Sequence, residues 1–529
     1  MSADRAVQEG DDMKQLFKNK FIYVLFACAV MAIIFYIYIN GQGQEEERTV
    51  VTIAVMQDDD VQNFNTNYYT QWMEDATGYD IQFEYISEGY EKEYLYAMLT
   101  SDMGRVDAVF LPEKESLLTM NEFQNYIENG LLFDIRELLT EDSNFTSLLE
   151  QYDFIFTRNK LSSQGEIYYM PNMDTTRRNQ NMQVMWINMG WLKALGLEVP
   201  ETVEELETVL TAFRDEDPNG NGLADELPLI SCESSYATQS YNFILNAYIY
   251  NDPLHNRMYV DENGNFASIL LEPNFREGLK TCADMYSQGL LTDECNSYSQ
   301  RQLMELVNAQ GDYVGAFTSQ SIANIIYPNC PDILARYIQV PPLLGASGER
   351  NAVYCDYEPS IGGYIPSNSK HTKEAFTVMD LMLSKEASFI ASFGEEGVDW
   401  KFSQNGDLST YGSKAVITTL QYLNDSVQNK NFAGAGPLVL AEKYANGITW
   451  NGDNSLVEYL DARAVRSYEN YYYERKEVFQ SQKWFDYVSD RMDEQTDADT
   501  MIKQFVFGIE DIFSDKVWEN FRNEVKQNE

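Results

Sequence analysis

A nineteen-residue apolar segment near the N-terminus determines how the whole chain is organised. Residues 21–39 contain no charged residue and no proline. As a helix rising 1.5 Å per residue, the segment is about 28 Å long, which matches the hydrocarbon core of a bilayer. Lysines occupy positions 14, 18 and 20 before it, and glutamates occupy positions 45–47 after it. The positive-inside rule therefore places the N-terminus in the cytoplasm and the rest of the chain outside.

The predicted topology is that of a single-pass protein of the cell membrane whose main body is extracellular. Residues 1–20 form the cytoplasmic N-terminus, residues 21–39 the transmembrane anchor and residues 40–47 an acidic linker. A buried core helix and a cleaved signal segment are alternatives. A lipid anchor on Cys28 is another, because Leu-Phe-Ala-Cys at 25–28 resembles a lipobox.

Composition excludes one class of partner and predicts a folded body. Of 529 residues, 83 are Asp or Glu and 38 are Lys or Arg, so the net charge is −45. Such a chain lacks the clustered cations that a phosphate backbone requires, and no nucleic-acid partner is expected. Hydrophobic residues make up 44% of the chain, enough for a packed core. At roughly 150 residues per domain, the length predicts two to four folding units.

After the linker, β-branched runs alternate with segments of helical periodicity. Strands are predicted at 49–56, 81–86 and 107–111, with helices between them. This alternation is typical of a parallel sheet covered by helices. Further strands are predicted at 167–170, 182–187, 313–317 and 337–340, further helices at 203–213 and 275–288, and a mostly helical segment from Lys414 onward. The predicted fold class is α/β with more than one lobe.

The loop at 217–228 has much of the spacing of a calcium-binding loop. Counted from Asp217, oxygen-bearing side chains occupy positions 1, 3, 5, 9 and 10, and Gly222 occupies position 6. Ca²⁺ takes about six to eight oxygen ligands, and a backbone carbonyl at position 7 is usual. Position 12 is Pro228 rather than glutamate, so the acids at positions 9 and 10 would have to replace it. A solvated turn rich in Asp and Asn is the alternative.

A second segment serves as an internal comparison for this loop. Asp-Glu-Asn-Gly-Asn at 261–265 begins in the same way, but it has no glycine at position 6 and no acid at positions 9 or 10. It is predicted to be the turn of a β-hairpin. Only the first loop is therefore expected to bind a metal ion.

Catalytic motifs are missing from the sequence. The two histidines, His255 and His371, lie far apart, and neither belongs to an H-E-x-x-H motif or accompanies a G-x-S-x-G elbow. No P-loop and no G-x-G-x-x-G follows a predicted strand. Carboxylates are so abundant that a glycosidase pair cannot be identified from their number. The chain is therefore predicted not to be an enzyme.

Several segments occur in an order that carries more information than any one of them. They include Trp-Ile-Asn-Met-Gly-Trp-Leu-Lys-Ala-Leu-Gly at 186–196 and the acidic loop at 217–228; the others lie at 107–110, 165–171, 200–206, 272–279, 286–293 and 394–400. Together they resemble the bacterial extracellular solute-binding proteins of ABC importers. The similar group is the carbohydrate-binding one that includes the alginate-binding and LplA-like lipoproteins. The resemblance spans roughly residues 50–402.

The resemblance implies a two-lobed periplasmic-binding-protein-like α/β fold with a crossover hinge, here preceded by the transmembrane helix. By the family pattern, lobe one comprises residues 48–170 and 337–390, and lobe two comprises residues 180–336 and 395–529. A solute is held in the cleft between the lobes and passed to ABC permease subunits. The implied ligands of a structural Ca²⁺ ion are Asp217, Asn219, Asn221, the carbonyl of Leu223, Asp225 and Glu226.

A carbohydrate ligand also fits the aromatic content, which is 13% of the chain. Sugars stack their C–H faces on aromatic rings and bond their hydroxyls to polar side chains. Most aromatic residues are nevertheless expected in the core. The candidate ligand-binding residues near the expected crossovers are Tyr169, Arg177, Trp186, Tyr364, Trp400 and Trp450.

Three functions remain open from the sequence. The favoured one is a membrane-tethered receptor that captures a carbohydrate, expected to be an oligosaccharide, and closes its lobes on it by hinge motion. A ligand-sensing ectodomain that signals through a partner is the second. The third is a calcium-stabilised glycosidase, which would need two carboxylates about 5–10 Å apart.

Overall fold

Two sheets with separate hydrophobic cores form the body of the protein. The computed structural model describes residues 48–528, except 59, 87–88, 102–104, 112–117, 119, 153–164, 233, 254, 262, 293–298, 356–358, 422, 424–426, 433, 452–454 and 473–497. The predicted anchor at 21–39 and Cys28 lie outside the described residues. Within the described part of the chain, no helix combines the length and apolar character needed to cross a bilayer.

The strands of the described residues are β1 (Val50–Met56), β2 (Asp80–Ile86), β3 (Ala108–Phe110), β4 (Met170–Asp174), β5 (Val184–Asn188), β6 (Leu227–Leu229), β7 (Met258–Val260), β8 (Phe266–Ser268), β9 (Val314–Ser319), β10 (Tyr337–Val340), β11 (Ser360–Tyr364), β12 (Trp400–Phe402), β13 (Ile417–Thr419), β14 (Leu438–Leu440) and β15 (Ile448–Thr449). Their α-helices are α1 (Tyr68–Thr77), α2 (Glu91–Thr100), α3 (Met120–Glu128), α4 (Asn144–Gln151), α5 (Met189–Leu195), α6 (Val203–Asp215), α7 (Ser240–Leu245), α8 (Pro273–Ser287), α9 (Gln300–Val307), α10 (Pro331–Leu334), α11 (Thr372–Met382), α12 (Lys385–Phe393), α13 (Glu442–Ala445), α14 (Ser455–Tyr468), α15 (Ala498–Val506) and α16 (Asp515–Asn528).

The first sheet has six strands in the order β14-β4-β11-β3-β1-β2. Strand β1 pairs in parallel with both neighbours, so that Ile53 lies opposite Phe83 on β2 and Ala108 on β3. Because helices cover this sheet, the interior strand β1 is a nearly continuous apolar run, VVTIAVM. Strand β11 is antiparallel to β3 and β4, whereas β14 is parallel to β4. The carboxyl ends of β1, β3, β4 and β14 therefore lie at one edge of the sheet.

The second sheet has four strands in the order β10-β5-β9-β6. Every residue of β5 and β9 is buried. Helix α6 is held by a capping box, in which the Thr202 hydroxyl accepts from the Glu205 N–H and the Glu205 carboxylate accepts from the Thr202 N–H. The core around this sheet extends to the C-terminal helices α15 and α16. These two sheets, with their covering helices, confirm a mixed α/β fold with two lobes.

A short hairpin confirms one local prediction. Strands β7 and β8 are antiparallel, and Val260 lies opposite Phe266. The intervening loop is closed by the Asp261 carboxylate, which accepts hydrogen bonds from the N–H groups of Asn263 and Asn265. The segment 261–265 is therefore a hairpin turn, as its composition predicted.

The C-terminal third differs from its prediction in two respects. It is helical over α14, α15 and α16, but β12, β13 and β15 form a third, three-stranded sheet. Strand β14 joins the first sheet, where Leu438 lies opposite Asn172. The assignment of all of 395–529 to lobe two is thus wrong for β14. Three-residue strands have too little periodicity to be separated from helices by sequence pattern.

Candidate functional site

Three connections join the first sheet to the second lobe. The first runs from β4 to β5, the second from β10 to β11, and the third from β14 to helix α14. Helix α14 packs against β10 of the second sheet and against the 3-10 helix Arg177–Gln180 of the first connection. In open α/β sheets, ligands bind outside the carboxyl ends of the strands, which is the edge from which the connections at β4 and β14 leave.

Polar and aromatic side chains from several distant segments meet at these connections. We call them the crossover cluster; they are Arg177, Arg178, Tyr354, Tyr411, Glu458, Glu469 and Tyr472. Arg177 and Arg178 come from the first connection and Tyr354 from the second, while the others come from the loop between β12 and β13, from α14 and from the segment after it. The cluster thus contains charged groups, phenol hydroxyls and aromatic rings.

Ion pairs fix the two arginines of the crossover cluster. Arg177 pairs with Glu469 and lies over the ring of Tyr411, with its guanidinium carbon 5.7 Å from the ring centroid. The Nη1 atom of Arg178 donates to Oε1 of buried Glu458 at 2.7 Å. Roughly 30% of each arginine side chain remains exposed, so both can contact a ligand.

Three tyrosines supply hydroxyl groups beside these arginines. The Tyr411 hydroxyl accepts from the Arg178 N–H at 3.1 Å. Tyr354 and Tyr472 contact each other edge to face, with ring centroids 5.1 Å apart, and the Tyr472 hydroxyl donates to Oδ1 of Asn181 at 2.7 Å. Burial raises the pKa of Tyr411 and of Tyr472 above the ordinary value. Their hydroxyls therefore stay protonated and can donate hydrogen bonds at neutral pH.

A buried carboxyl group on α14 makes the stability of this region depend on pH. Asp461 accepts from the Ser321 hydroxyl at 2.5 Å and from the Ile322 N–H at 3.1 Å. Burial raises its pKa to about 6, and these hydrogen bonds and Arg178 only partly oppose the rise. Between the unfolded value near 4 and the folded value, the folded state binds more protons. This group therefore reduces stability as the pH rises from about 4 to 6.

We expect Asp461→Asn to raise the free energy of unfolding at pH 7.5 by about 1–3 kcal/mol, because the amide removes a charge whose burial is unfavourable. Urea unfolding at pH 4 and pH 7.5 would measure it, with the gain largest at pH 7.5. Glu458→Gln is the matched control on the same helix. It breaks the ion pair with Arg178, so it should destabilise the protein at pH 7.5. Equal gains at both pH values for Asp461→Asn would contradict the argument.

The six predicted ligand-binding residues do not lie together. Arg177 belongs to the crossover cluster, and Trp450 is partly exposed on the third connection, where its ring lies 6.3 Å from that of Phe393. Tyr169 and Tyr364 are buried in the first lobe, each in edge contact with Phe123. Their rings have almost no surface to offer a sugar.

The two remaining predicted residues, Trp186 and Trp400, are also packed in hydrophobic cores. Trp186 has no exposed surface, and its indole N–H donates to the Ser319 hydroxyl at 3.0 Å. Trp400 is 3% exposed, and its indole N–H donates to the Gly394 carbonyl at 2.9 Å. In this conformation neither indole is accessible to a ligand.

Most of the crossover cluster was not identified from the sequence. Arg177 and Glu469 are 292 positions apart, and only the fold brings them together. One local signal did exist, since Tyr-Glu-Asn-Tyr-Tyr-Tyr at 468–473 is a run of polar aromatic residues that is unusual for a core helix.

The predicted calcium loop follows α6 and leads into β6. The Asp217 carboxylate accepts from the N–H groups of Asn221 and Gly222 at 3.0 and 2.8 Å. The Asp225 carboxylate accepts from the side-chain amide of Asn221 at 3.0 Å. Gly222 has a φ of 78°, in the left-handed region that glycine adopts without strain. The acids and amides at positions 1, 5 and 9 therefore converge on one small volume, while the Leu223 side chain is exposed.

One polar atom of this loop has no partner. Oε1 of Glu226 is buried and accepts no hydrogen bond from the described residues. Burial, together with the charges of Asp225 and Asp217, raises the pKa of Glu226. A cation would remove that repulsion and satisfy the oxygen, so the donor set fits a hard metal ion. Within the described part of the chain, no three His, Cys, Asp or Glu residues are already arranged as a metal site.

Two α/β lobes joined by three connections define this protein as one of the two-lobed solute-binding proteins. A family model for the bacterial extracellular solute-binding proteins matches residues 58–389, and the chain belongs to that family. Proteins of this kind in ABC transporters bind substrate without converting it, so the chain is a binding protein and not an enzyme.

Two curated proteins have similar sequences. The fructooligosaccharide ABC transporter substrate-binding protein FusA of Streptococcus pneumoniae is 26% identical over 239 residues, covering 44% of this chain and 42% of FusA. Lipoprotein LipO of Bacillus subtilis is 23% identical over 363 residues, covering 67% of this chain and 66% of LipO. The matched regions thus span less than two thirds of either relative.

Solved structures of FusA have the same fold. FusA in complex with kestose superposes with a TM-score of 0.68 at 19% identity, covering 91% of this chain and 96% of that one. A FusA EF-hand mutant in complex with fructo-nystose gives a TM-score of 0.67 with the same identity and coverage. At this level of identity the likeness establishes the fold alone.

Proposed function

We propose that this protein captures an oligosaccharide between its lobes and delivers it to the permease subunits of an ABC importer. The observation that carries the proposal is the crossover cluster, in which two partly exposed arginines and three tyrosines meet at the connections between the lobes. Guanidinium and phenol groups can bond sugar hydroxyls, and the rings provide faces for the apolar side of a sugar. FusA, a relative, was solved with kestose, which makes fructooligosaccharides the first class to test.

The binding cycle follows from the position of the cluster. Residues from the first and second connections contribute to it, together with residues of α14, to which the third connection leads, so a ligand held there would contact segments about which the lobes rotate. A ligand that makes more contacts in the closed state than in the open one shifts the population towards closure. The permease would then recognise the closed form. Two further parts belong to the proposal: residues 21–39 tether the protein to the membrane, and the loop at 217–226 binds a structural Ca²⁺ ion.

Arg177→Gln should weaken kestose binding about tenfold or more, because glutamine cannot replace the charged, forked donor group at this position. Isothermal titration calorimetry of the purified protein with kestose measures the affinity. Arg301→Gln is the matched control, since Arg301 is 87% exposed on α9 and pairs with Glu305 on the same helix. Equal affinities of the two variants would contradict the assignment of the site.

Two other results would overturn the function itself. If neither kestose nor any oligosaccharide in a panel of fructans, glucans, galactans and mannans raised the melting temperature, the carbohydrate class would be wrong. Release of fructose from kestose by the purified protein would contradict a pure binding role. A saturating, unhydrolysed ligand at about 100 times its dissociation constant should add about 2.7 kcal/mol of stability, which a melting curve detects.

A further inference from the structure

A cavity lined by none of the crossover-cluster residues lies on the helical side of the first lobe. It has a volume of about 600 Å³ and is formed by the end of α4, the start of α12 and the segment from β14 through α13. Ligand cavities in proteins usually measure about 300–1,000 Å³ and combine an apolar wall with a few polar groups. This cavity is of that kind, with Leu148, Tyr152, Leu383 and Phe389 on its apolar wall.

Two lysines meet at one tyrosine in this cavity. The ammonium nitrogen of Lys385 lies 5.0 Å from the centroid of the Tyr444 ring, and that of Lys443 lies 4.7 Å from it. Lys385 also lies 5.4 Å from the ring centroid of Phe389, which contacts Tyr444 edge to face at 4.8 Å. Two positive charges, both on exposed side chains, therefore lie against the same aromatic ring.

Neither lysine forms an ion pair with any of the residues that the structure describes. Across the described residues, neither lysine has a carboxylate within 4.0 Å, although Glu442 also lines the cavity. Burial acts to raise the pKa of Tyr444, but the two ammonium groups outweigh it and lower that pKa. The cavity thus presents a local positive charge in a chain whose net charge is −45. Two like charges in one cavity cost free energy unless an anion joins them.

We propose that this cavity, which we call the lysine pocket, binds a small organic anion. Lys385 and Lys443 hold its carboxylate or phosphate group, and the wall formed by Leu148, Tyr152 and Leu383 packs against its apolar body. Charge-assisted hydrogen bonds from two ammonium groups supply the affinity. The cavity adjoins the third connection between the lobes, because Lys443 and Tyr444 directly follow β14. Because the lining of this pocket shares no residue with the crossover cluster, an anion bound here would be a different ligand from the neutral sugar of the cleft.

The test measures binding of phenyl phosphate and benzoate to the purified full-length protein by calorimetry at low salt, with benzamide as the uncharged probe. We expect both anions to bind and benzamide to bind at least tenfold more weakly. Lys443→Gln and Lys385→Gln should each weaken anion binding about tenfold. A preference for phenyl phosphate over benzoate, or the reverse, would identify the anionic group that the pocket takes.

The matched control is Lys193→Gln, which removes the same charge from an exposed position on α5 in the second lobe. If it weakened anion binding as much as Lys443→Gln did, the effect would be one of net charge and the proposal would be wrong. If neither anion bound at about 10 mM, a concentration at which millimolar affinity is still measurable, the proposal would also be overturned. Both pocket variants should bind kestose with unchanged affinity. That result would show that the variants are folded, and it would separate this proposal from the one for the cleft.

Discussion

Replacing Trp186 by alanine should lower the free energy of unfolding by about 3–5 kcal/mol, as expected for the loss of a large aromatic side chain from a packed core. Trp186 lies in the middle of the second sheet, has no exposed surface and bonds the Ser319 hydroxyl through its indole N–H. Removing it leaves a large cavity and one hydrogen-bond acceptor without its donor. Urea unfolding followed by circular dichroism measures the change.

Trp186→Phe distinguishes a core residue from a ligand-binding one. Phenylalanine keeps most of the packing and loses the hydrogen bond, so we expect a smaller cost of about 1–2 kcal/mol. Because Trp186 is inaccessible, the folded variant should bind kestose with unchanged affinity. A tenfold loss of affinity in folded Trp186→Phe would contradict this and restore Trp186 as a sugar-stacking residue.

Calcium should stabilise the protein. Relative to the wild type, Glu226→Gln should have a higher melting temperature without calcium and a lower one with calcium. In excess chelator, glutamine removes the repulsion between Glu226 and the carboxylates of Asp225 and Asp217, so the variant should melt at a higher temperature than the wild type. In saturating calcium the wild type gains about 2.7 kcal/mol at 100 times the dissociation constant. The variant, which lacks one anionic ligand, should gain much less.

Glu216→Gln tests whether neutralising any acidic residue near the loop would weaken the calcium response. Glu216 is exposed and is the C-cap residue of α6, just before the loop, so its substitution should leave the calcium response intact. Melting curves in chelator and in calcium for all three proteins give the comparison. An unchanged melting temperature of the wild type on adding calcium, or a full calcium response in Glu226→Gln, would refute the metal assignment.

The long buried strands were predictable because their residue types leave little choice. The run TVVTIAVM predicts the interior strand β1 to within a residue, and the strand predicted at 337–340 coincides with β10. The strand predicted at 167–170 lies instead at Met170–Asp174, since Pro171 and Asn172 are residue types that are rare inside strands. The order of family segments identified the fold although the relatives are distant in sequence.

The candidate ligand site was mostly not predictable, for a physical reason. A tryptophan has the same pattern in sequence whether it packs in a core, as Trp186 and Trp400 do, or lines a cleft. What distinguishes them is burial, which depends on contacts between segments hundreds of residues apart. The convergence of side chains in the loop at 217–226 could be anticipated because its candidate donors lie within ten residues of one another, whereas its binding of calcium stays a prediction.

The position of β14 at the edge of the first sheet affects how this protein is made. Leu438 lies opposite Asn172, so the edge of β4 stays open until residues near 440 have been synthesised. Until then an unpaired strand edge can pair with another chain. For the same reason, cutting the chain once, at any point between β4 and β14, leaves the first lobe divided between two fragments. Reassembly of such fragments would measure the last step in forming the first sheet, which is the pairing of β14, the last of its strands to be synthesised, with β4.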